Sequence, residues 1–413
     1  MNTASVRISL TLAALIAVAC APDTPDSPFV STEVLDTPAG VGSGEPFLAS
    51  GDDRVFLSWL EEVADGAHEL RFAAFTGDGW GEVRTVQRSD RFFVNWADFP
   101  SITPTRDGTL WAHWLERGET GGYDYSVRVV HSDDDGGTWS DAWTPHEDGT
   151  PTEHGFVSVL SLEDRVGLAW LDGRKYVEGP DGAPATQEMT LRYRTMGTDG
   201  EAGPETLVDP RVCDCCQTDA AMTDDGPVIV YRDRTDAEIR DIYVTRRLDD
   251  GWSTGVAVHD DGWKIGGCPV NGPAVAARSS RVAVAWFTAP DDIPRVKVAF
   301  SSSSGADFDA PVVVDDGNPV GRVDVLLLDE DRALVSWLEQ TGEEAGALRL
   351  REVRADGTAG PSETVTESSV ARASGFPRMA RAADGAVLVT WTDVQGERSQ
   401  VRVSKLELEE SPR

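Results

Sequence analysis

A β-propeller, an all-β ring of seven four-stranded blades, is the fold this sequence predicts, on three observations. A short apolar strand closing on an aromatic residue recurs seven times along the 413 residues. A strand with one basic residue set between apolar ones follows it in six of the seven repeats. The composition, with 40 Gly, 23 Pro and 13 Trp, suits many short strands joined by tight turns rather than helices.

The recurring strands are Val55 to Trp59, Leu110 to Trp114, Val166 to Trp170, Val228 to Tyr231, Val282 to Trp286, Ala333 to Trp337 and Val387 to Trp391. Their ends lie 55, 56, 61, 55, 51 and 54 residues apart. The strands that follow read Leu70-Arg71-Phe72, Val127-Arg128-Val129, Leu191-Arg192-Tyr193, Val296-Lys297-Val298, Leu348-Arg349-Leu350 and Val401-Arg402-Val403, with Ile242-Tyr243-Val244 in the fourth unit. A unit of this length buries its faces only against its neighbours, which is the logic of a ring of radial sheets. Units one to six close on a fourth strand such as Glu205 to Val208. The seventh stops near Leu408, and Val30 to Leu35 has the missing strand's character. That N-terminal strand is expected to complete the last blade and remove the open edge. Six blades with one repeat as an appendage is the alternative.

The chain divides into four parts. Residues 1–20 read as an export signal: Arg7 precedes an apolar run, Ile8 to Val18, too short to span a bilayer. The run ends in Ala17-Val18-Ala19-Cys20, which resembles a bacterial lipobox with Cys20 as the lipidated residue. Plain secretory cleavage near Ala19 is the alternative. Residues 21–28 form a tether, 29–408 the propeller and 409–413 a tail. The expected product is an exported, monomeric cell-envelope lipoprotein, in contact with a membrane only through its lipid. A net charge of -34 excludes nucleic acid as a partner, since phosphate binding needs clustered Lys and Arg.

Between strands three and four of the second unit stands Ser132-Asp-Asp134-Asp-Gly136-Gly-Thr138-Trp139. Asp134 can accept backbone N–H groups, Gly136 supplies a positive-φ turn, and Trp139 packs onto the sheet. Ser301 to Phe308 is a weaker copy. On this motif and the seven in-phase repeats, the chain resembles the Asp-box, or BNR-repeat, proteins of the sialidase-like propeller superfamily over about residues 28 to 408. The resemblance implies a propeller. For a sialidase it would also imply three arginines on the substrate carboxylate, a Tyr–Glu pair and an Asp acid/base. The early Arg-Ile-Pro type motif is replaced by Gly44-Glu45-Pro46-Phe47, and Ile293-Pro-Arg295 and Phe376-Pro-Arg378 are fragments of it. The weak catalytic candidates are Asp98, Glu153, Asp219, Tyr231 and Glu238, with Tyr231 also expected as a core residue because it holds the repeat's Trp position.

Function is expected where a repeat is broken. Cys213-Asp-Cys215-Cys216-Gln217 precedes unit four, and Cys268-Pro-Val-Asn271 precedes unit five. Both segments lead into innermost strands, so four cysteines should meet at one mouth of the channel. Two disulfides suit an oxidising compartment. A thiolate site for Cu(I) or Zn, with His154 or His259 as a further ligand, is the competing reading, and a redox-active Cys215–Cys216 pair is a third. Asn95, Trp96, His154, Gln217 and Asn271 are the other candidates at the mouth. The functional expectation is a binding or accessory module for a glycan, a protein or a soft metal. The alternative is a glycoside hydrolase of the sialidase type.

Overall fold

The computed structural model describes residues 27–409 apart from 164, 180, 181, 183 and 397. The expected signal and the Cys20 lipidation site lie outside the described residues. Seven antiparallel sheets form a seven-bladed propeller. Blade one is Ser43–Ser50, Val55–Glu62, His68–Phe75 and Arg84–Ser89. Blade three is His154–Ser161, Arg165–Asp172, Met189–Gly197 and Thr206–Val212. Blade four is Asp219–Thr223, Gly226–Arg232 and Ile242–Leu248, with its outer edge split into Gly251–Trp252 and Val256–Ala257. Blades five and six open on Ala274–Arg278 and Pro319–Leu327. Blade two has three ladder strands, Ser101–Pro104, Leu110–Arg117 and Tyr125–Ser132. Its expected fourth shrinks to a single bridge, Val129 to Trp143.

The ring closes as its sequence predicts. Phe29–Leu35 pairs antiparallel with Arg398–Leu408 and completes the blade of Arg378–Arg381 and Val387–Gln395. The first strands of successive blades pack around the axis, and one apolar cluster fills each blade-to-blade seam.

The sequence repeat has a local physical cause. Trp59, Trp114, Trp170, Trp286, Trp337 and Trp391 each lie directly across the ladder from the basic residue of the next strand. In the fourth blade Tyr231 faces Tyr243. A buried indole N–H needs an acceptor, and a carboxylate supplies it: Trp59 donates to Glu61 at 2.9 Å, Trp170 to Asp172 at 3.0 Å and Trp337 to Glu339 at 2.6 Å. Arg71 then neutralises Glu61 at 2.6 Å. The basic residue of the motif thus allows a carboxylate to sit beside the buried ring.

The Ser132 to Trp139 turn lies between strands three and four, on the face opposite the inter-blade loops. Asp134 accepts from the Thr138 N–H and hydroxyl at 2.8 and 2.9 Å, and Ser132 Oγ accepts the Gly136 N–H at 2.8 Å. Trp139 packs edge-on against Phe72 of blade one, 6.0 Å between ring centres. A Cβ on Gly136 would meet Phe72 at 2.4 Å, so both its φ of +81° and the close approach require glycine.

Candidate functional site

The axis itself is nearly full. Its cavity of about 50 Å³ is lined by residues including Phe47, Asp98, Phe99, Gln217, Asp219 and Arg378. Ligand pockets run to several hundred Å³, so this cavity has room for a few waters only.

Inter-blade loops cover this cavity. Trp96 stacks on Phe376 with 5.8 Å between centres, and the Arg322 guanidinium lies 4.9 Å from the Trp96 ring. Asn95 Oδ1 accepts the Ala97 N–H at 2.9 Å. Gln217 donates to the Ala97 carbonyl at 2.5 Å and accepts the Gly272 N–H at 3.0 Å. Asn271 accepts the Arg322 N–H at 2.8 Å and donates to the Val320 carbonyl at 3.1 Å. The polar atoms and rings of Asn95, Trp96, Gln217 and Asn271 are thus engaged in tying the inter-blade loops together. Asp98, Asp219 and Asp324 act alike: each accepts a backbone N–H from the following blade, from Phe156, Val275 and Met379 at 2.7, 2.8 and 2.6 Å.

Asp98 does more. The Tyr125 hydroxyl lies 3.1 Å from Asp98 Oδ2 and 2.7 Å from Glu153 Oε1. One phenol proton can serve only one of two carboxylates, so the other must bring its own. Burial raises Asp98 to about 8 and Glu153 to about 7. The arrangement is a protonated Asp98 donating to Tyr125, which donates to Glu153, the member of the chain nearest solvent. Tyr125 itself is fully buried and stacked on Phe93 at 4.0 Å.

Beside Glu153, the loops of blades three and four form a polar cleft. Three guanidinium groups converge on Glu238: Arg240 at 2.8 Å, Arg234 at 3.0 Å and Arg211 at 3.5 Å. Arg234 first and then Arg240 hold the Glu238 carboxylate down to about 2. Arg234 also pairs with Asp214 at 3.3 Å. Tyr176 is 37 % exposed, and its hydroxyl bonds Asp214. Tyr231 is absent from this cleft. It fills its blade, is 1 % exposed and donates to Asp209 at 2.7 Å.

Two expectations need correction. His154 is not at the channel mouth. It is 1 % exposed between blades two and three, stacked on His146 at 3.7 Å. One ring nitrogen faces the Thr152 carbonyl at 3.0 Å and the other Asp148 at 3.1 Å. Burial alone would lower its pKa, but Asp148 and Asp172 more than offset that and raise it. With His146 and Asp148 it forms a largely buried group whose ligand atoms lie within 4.8 Å of one another and could hold a metal ion, away from the cysteines. The four-thiolate site is not assembled either: Cys215 and Cys268 are joined as a disulfide, and a disulfide sulfur is not a thiolate ligand. His259 is engaged by Asp261 at 2.9 Å. The cysteines nevertheless lie together. The free, buried Cys213 and Cys216 lie 3.5 Å apart, and the sulfurs of Cys213, Cys215 and Cys216 are within 4.8 Å of one another. Hydrogen bonding from Cys216, with the charges of Arg232 and Arg240, outweighs burial and brings Cys213 down to about 6.

Sequence reasoning missed Tyr125, Tyr176 and Arg211, and left Asp214 without a role. One signal was available. Tyr125 and Arg240 hold the same repeat position, three residues before Arg128 and Tyr243, where the third strand leaves the mouth.

Fold and site together define a seven-bladed β-propeller with a polar mouth. No family model and no curated protein matches the chain. Solved structures do. A lectin, BP39L of Burkholderia pseudomallei, is 12 % identical, with a TM-score of 0.55 over 87 % of this chain and 98 % of that one. A protein of unknown function from Dyadobacter fermentans is 14 % identical, with a TM-score of 0.54 over 92 % and 99 %. The polysaccharide lyase Uly1 is 11 % identical, with a TM-score of 0.52 over 89 % and 90 %. Sialidases are also similar, at TM-scores of 0.42 to 0.46. At such identities the likeness to the lectin, the Dyadobacter protein and Uly1 shows the fold alone and leaves the chemistry to the site.

Proposed function

We propose that the protein is an exported, lipid-anchored propeller that binds acidic glycans at the cleft over blades three and four. One observation carries the reading: Arg211, Arg234 and Arg240 converge on the Glu238 carboxylate beside the exposed Tyr176. The three guanidiniums are balanced by Glu238, Asp214 and Asp236, and their planar forks of donors match a carboxylate that takes the place of one of these. A sugar carboxylate can replace that of Glu238, which sits on a turn residue with φ of +59°, while Tyr176 offers an aromatic face to the pyranose. The lectin and the lyase among similar structures, by their names, handle carbohydrates, which agrees with this reading. An Asp-box descent and lipidation at Cys20 belong to it too. An N-terminal peptide of the native protein without lipid would remove the anchor from the proposal.

The alternative, glycoside hydrolysis, is favoured by one feature: Glu153 carries a raised pKa of about 7 and is backed by Tyr125, as a general acid requires. One experiment separates the two. Uronate- and sialate-bearing oligosaccharides and neutral controls are titrated against the purified protein, with new reducing ends assayed in parallel. Binding confined to acidic ligands, weakened at least about tenfold in Arg234→Ala and without released sugar, supports the module. Sugar release abolished by Glu153→Gln makes the protein an enzyme. Equal binding of neutral and acidic sugars removes the anion site.

A further inference from the structure

The cysteine constellation carries a second inference, independent of what the cleft binds. Its four sulfurs differ in access. Cys268 is exposed and follows Gly266-Gly267, whereas its bonded partner Cys215 is half-buried. Behind them, Cys213 and Cys216 are 1 % and 2 % exposed, with free thiols 3.5 Å apart. Arg240 Nη1 donates to Cys213 Sγ at 3.3 Å, and a cationic donor on sulfur favours the thiolate, the form that attacks a disulfide. Cys215 Sγ is within 4.8 Å of that thiolate. A disulfide with an outward sulfur therefore stands beside a buried dithiol that holds its own nucleophile.

We propose that these four cysteines are a two-electron relay, in which the exposed Cys215–Cys268 disulfide connects the buried Cys213/Cys216 pair to external disulfides. The Cys213 thiolate attacks Cys215 Sγ. The Cys215–Cys268 bond breaks, and its electron pair leaves on Cys268. Cys216 gives its proton to solvent and attacks Cys213 Sγ, releasing Cys215 as a thiolate. The chain now holds a Cys213–Cys216 disulfide and a Cys215/Cys268 dithiol, and no electron has left it. The Cys268 thiolate next attacks an external disulfide, and Cys215 resolves the mixed disulfide. Cys215–Cys268 re-forms, and the external disulfide departs as two thiols carrying two electrons and two protons. The chain ends with two disulfides, and external thiols drive the sequence in reverse. The redox partner is thus a small or protein-borne disulfide that reaches the Gly266-Gly267-Cys268 segment, with no metal or organic cofactor in the exchange.

The test is time-resolved thiol mapping on the native protein. The fully oxidised form receives one equivalent of dithiothreitol, is quenched in acid at intervals, alkylated and peptide-mapped. The relay predicts label first on Cys215 and Cys268, and then its migration to Cys213 and Cys216 with no further reductant. With oxidised glutathione and the half-reduced protein, Cys268→Ser should slow Cys213–Cys216 oxidation at least about tenfold, since the buried pair loses its exposed partner. Unfolding midpoints of wild type and variant check that the variant is folded. The proposal is overturned if label stays on Cys215 and Cys268 for hours, which makes the two pairs independent staples. It also fails if Cys268→Ser oxidises at the wild-type rate, which shows direct access to the buried thiols.

Discussion

Replacing Arg232 with Met is expected to destabilise the propeller by roughly 3–5 kcal/mol, because several buried carbonyls lose their donor. The Arg232 side chain is fully buried at the end of blade four's second strand. Its guanidinium donates to the Asn271 carbonyl at 2.7 and 3.0 Å, the Phe287 carbonyl at 2.7 Å and the Arg240 carbonyl at 2.6 Å. It also lies 4.9 Å from the Trp263 ring. One side chain thereby ties the mouth of blade four to two segments of blade five. Methionine fills much of the volume but strands three carbonyls, each costing about 1–3 kcal/mol when left unpaired. A drop in Tm of about 4–6 °C follows for a chain of this size. Arg234→Met, two residues on, removes pairs with Asp214 and Glu238 at a wetter site and should move Tm by no more than about 2 °C. Equal shifts for the two variants would mean that Arg232 is not a staple.

The second large effect is on pH dependence. Burial holds Asp98 at about 8, Glu153 and Asp233 at about 7 and Asp219 at about 6 in the folded chain, all above the ordinary carboxylate range. A carboxyl whose folded pKa is raised contributes stability that is fully present below its unfolded value, near 4, and is lost as pH rises through the folded value. Stability should therefore fall from about pH 5 to pH 9, in the direction that self-repulsion of the -34 charge also pushes. The opposite limb comes from Glu238, held down to about 2, and its contribution is lost only as pH falls through that value. Asp98→Asn isolates one contribution. Its amide oxygen can keep the Phe156 N–H, and its NH2 can donate to Tyr125 as the protonated acid does. The variant should match wild type near pH 5 and exceed it near pH 9, by an amount on the order of 1–3 kcal/mol for one relieved buried charge. Unfolding midpoints across pH decide it. Parallel curves for the two proteins would show that Asp98 is ionised throughout.

The propeller was legible because six of the seven blades repeat one local solution. A strand ends in Trp59 and the next carries Arg71 across the ladder; the same pairing of Trp against a basic residue recurs through Trp391 and Arg402, with Tyr231 against Tyr243 in blade four. Such a pattern survives in sequence because the contacts lie within one blade, between neighbouring strands. The closing role of Phe29–Leu35 was legible for the same reason, through the strand missing after Leu408. The cysteines were legible as a group because both segments lead into innermost strands. Their pairing was not, since Cys213, Cys215 and Cys216 are close enough in sequence for any of them to meet Cys268.

The mouth lay beyond the sequence for a different reason. Its members come from loops joined only by the ring. Asp98 and Tyr125 are 27 residues apart and Tyr125 and Glu153 are 28, and each looks like an ordinary strand-end residue in its own repeat. His154 seemed well placed by position, yet the register of its strand turns it from the axis toward Asp148 and Asp172. Sequence by itself determined the repeat, the count of seven and the closing strand, because these follow from strand periodicity and from edges that must be paired. Only the tertiary structure decided which side chains converge at the mouth: Arg234 and Arg240 reach Glu238 within one loop of blade four, but it is the packing of blade three against blade four that adds Arg211.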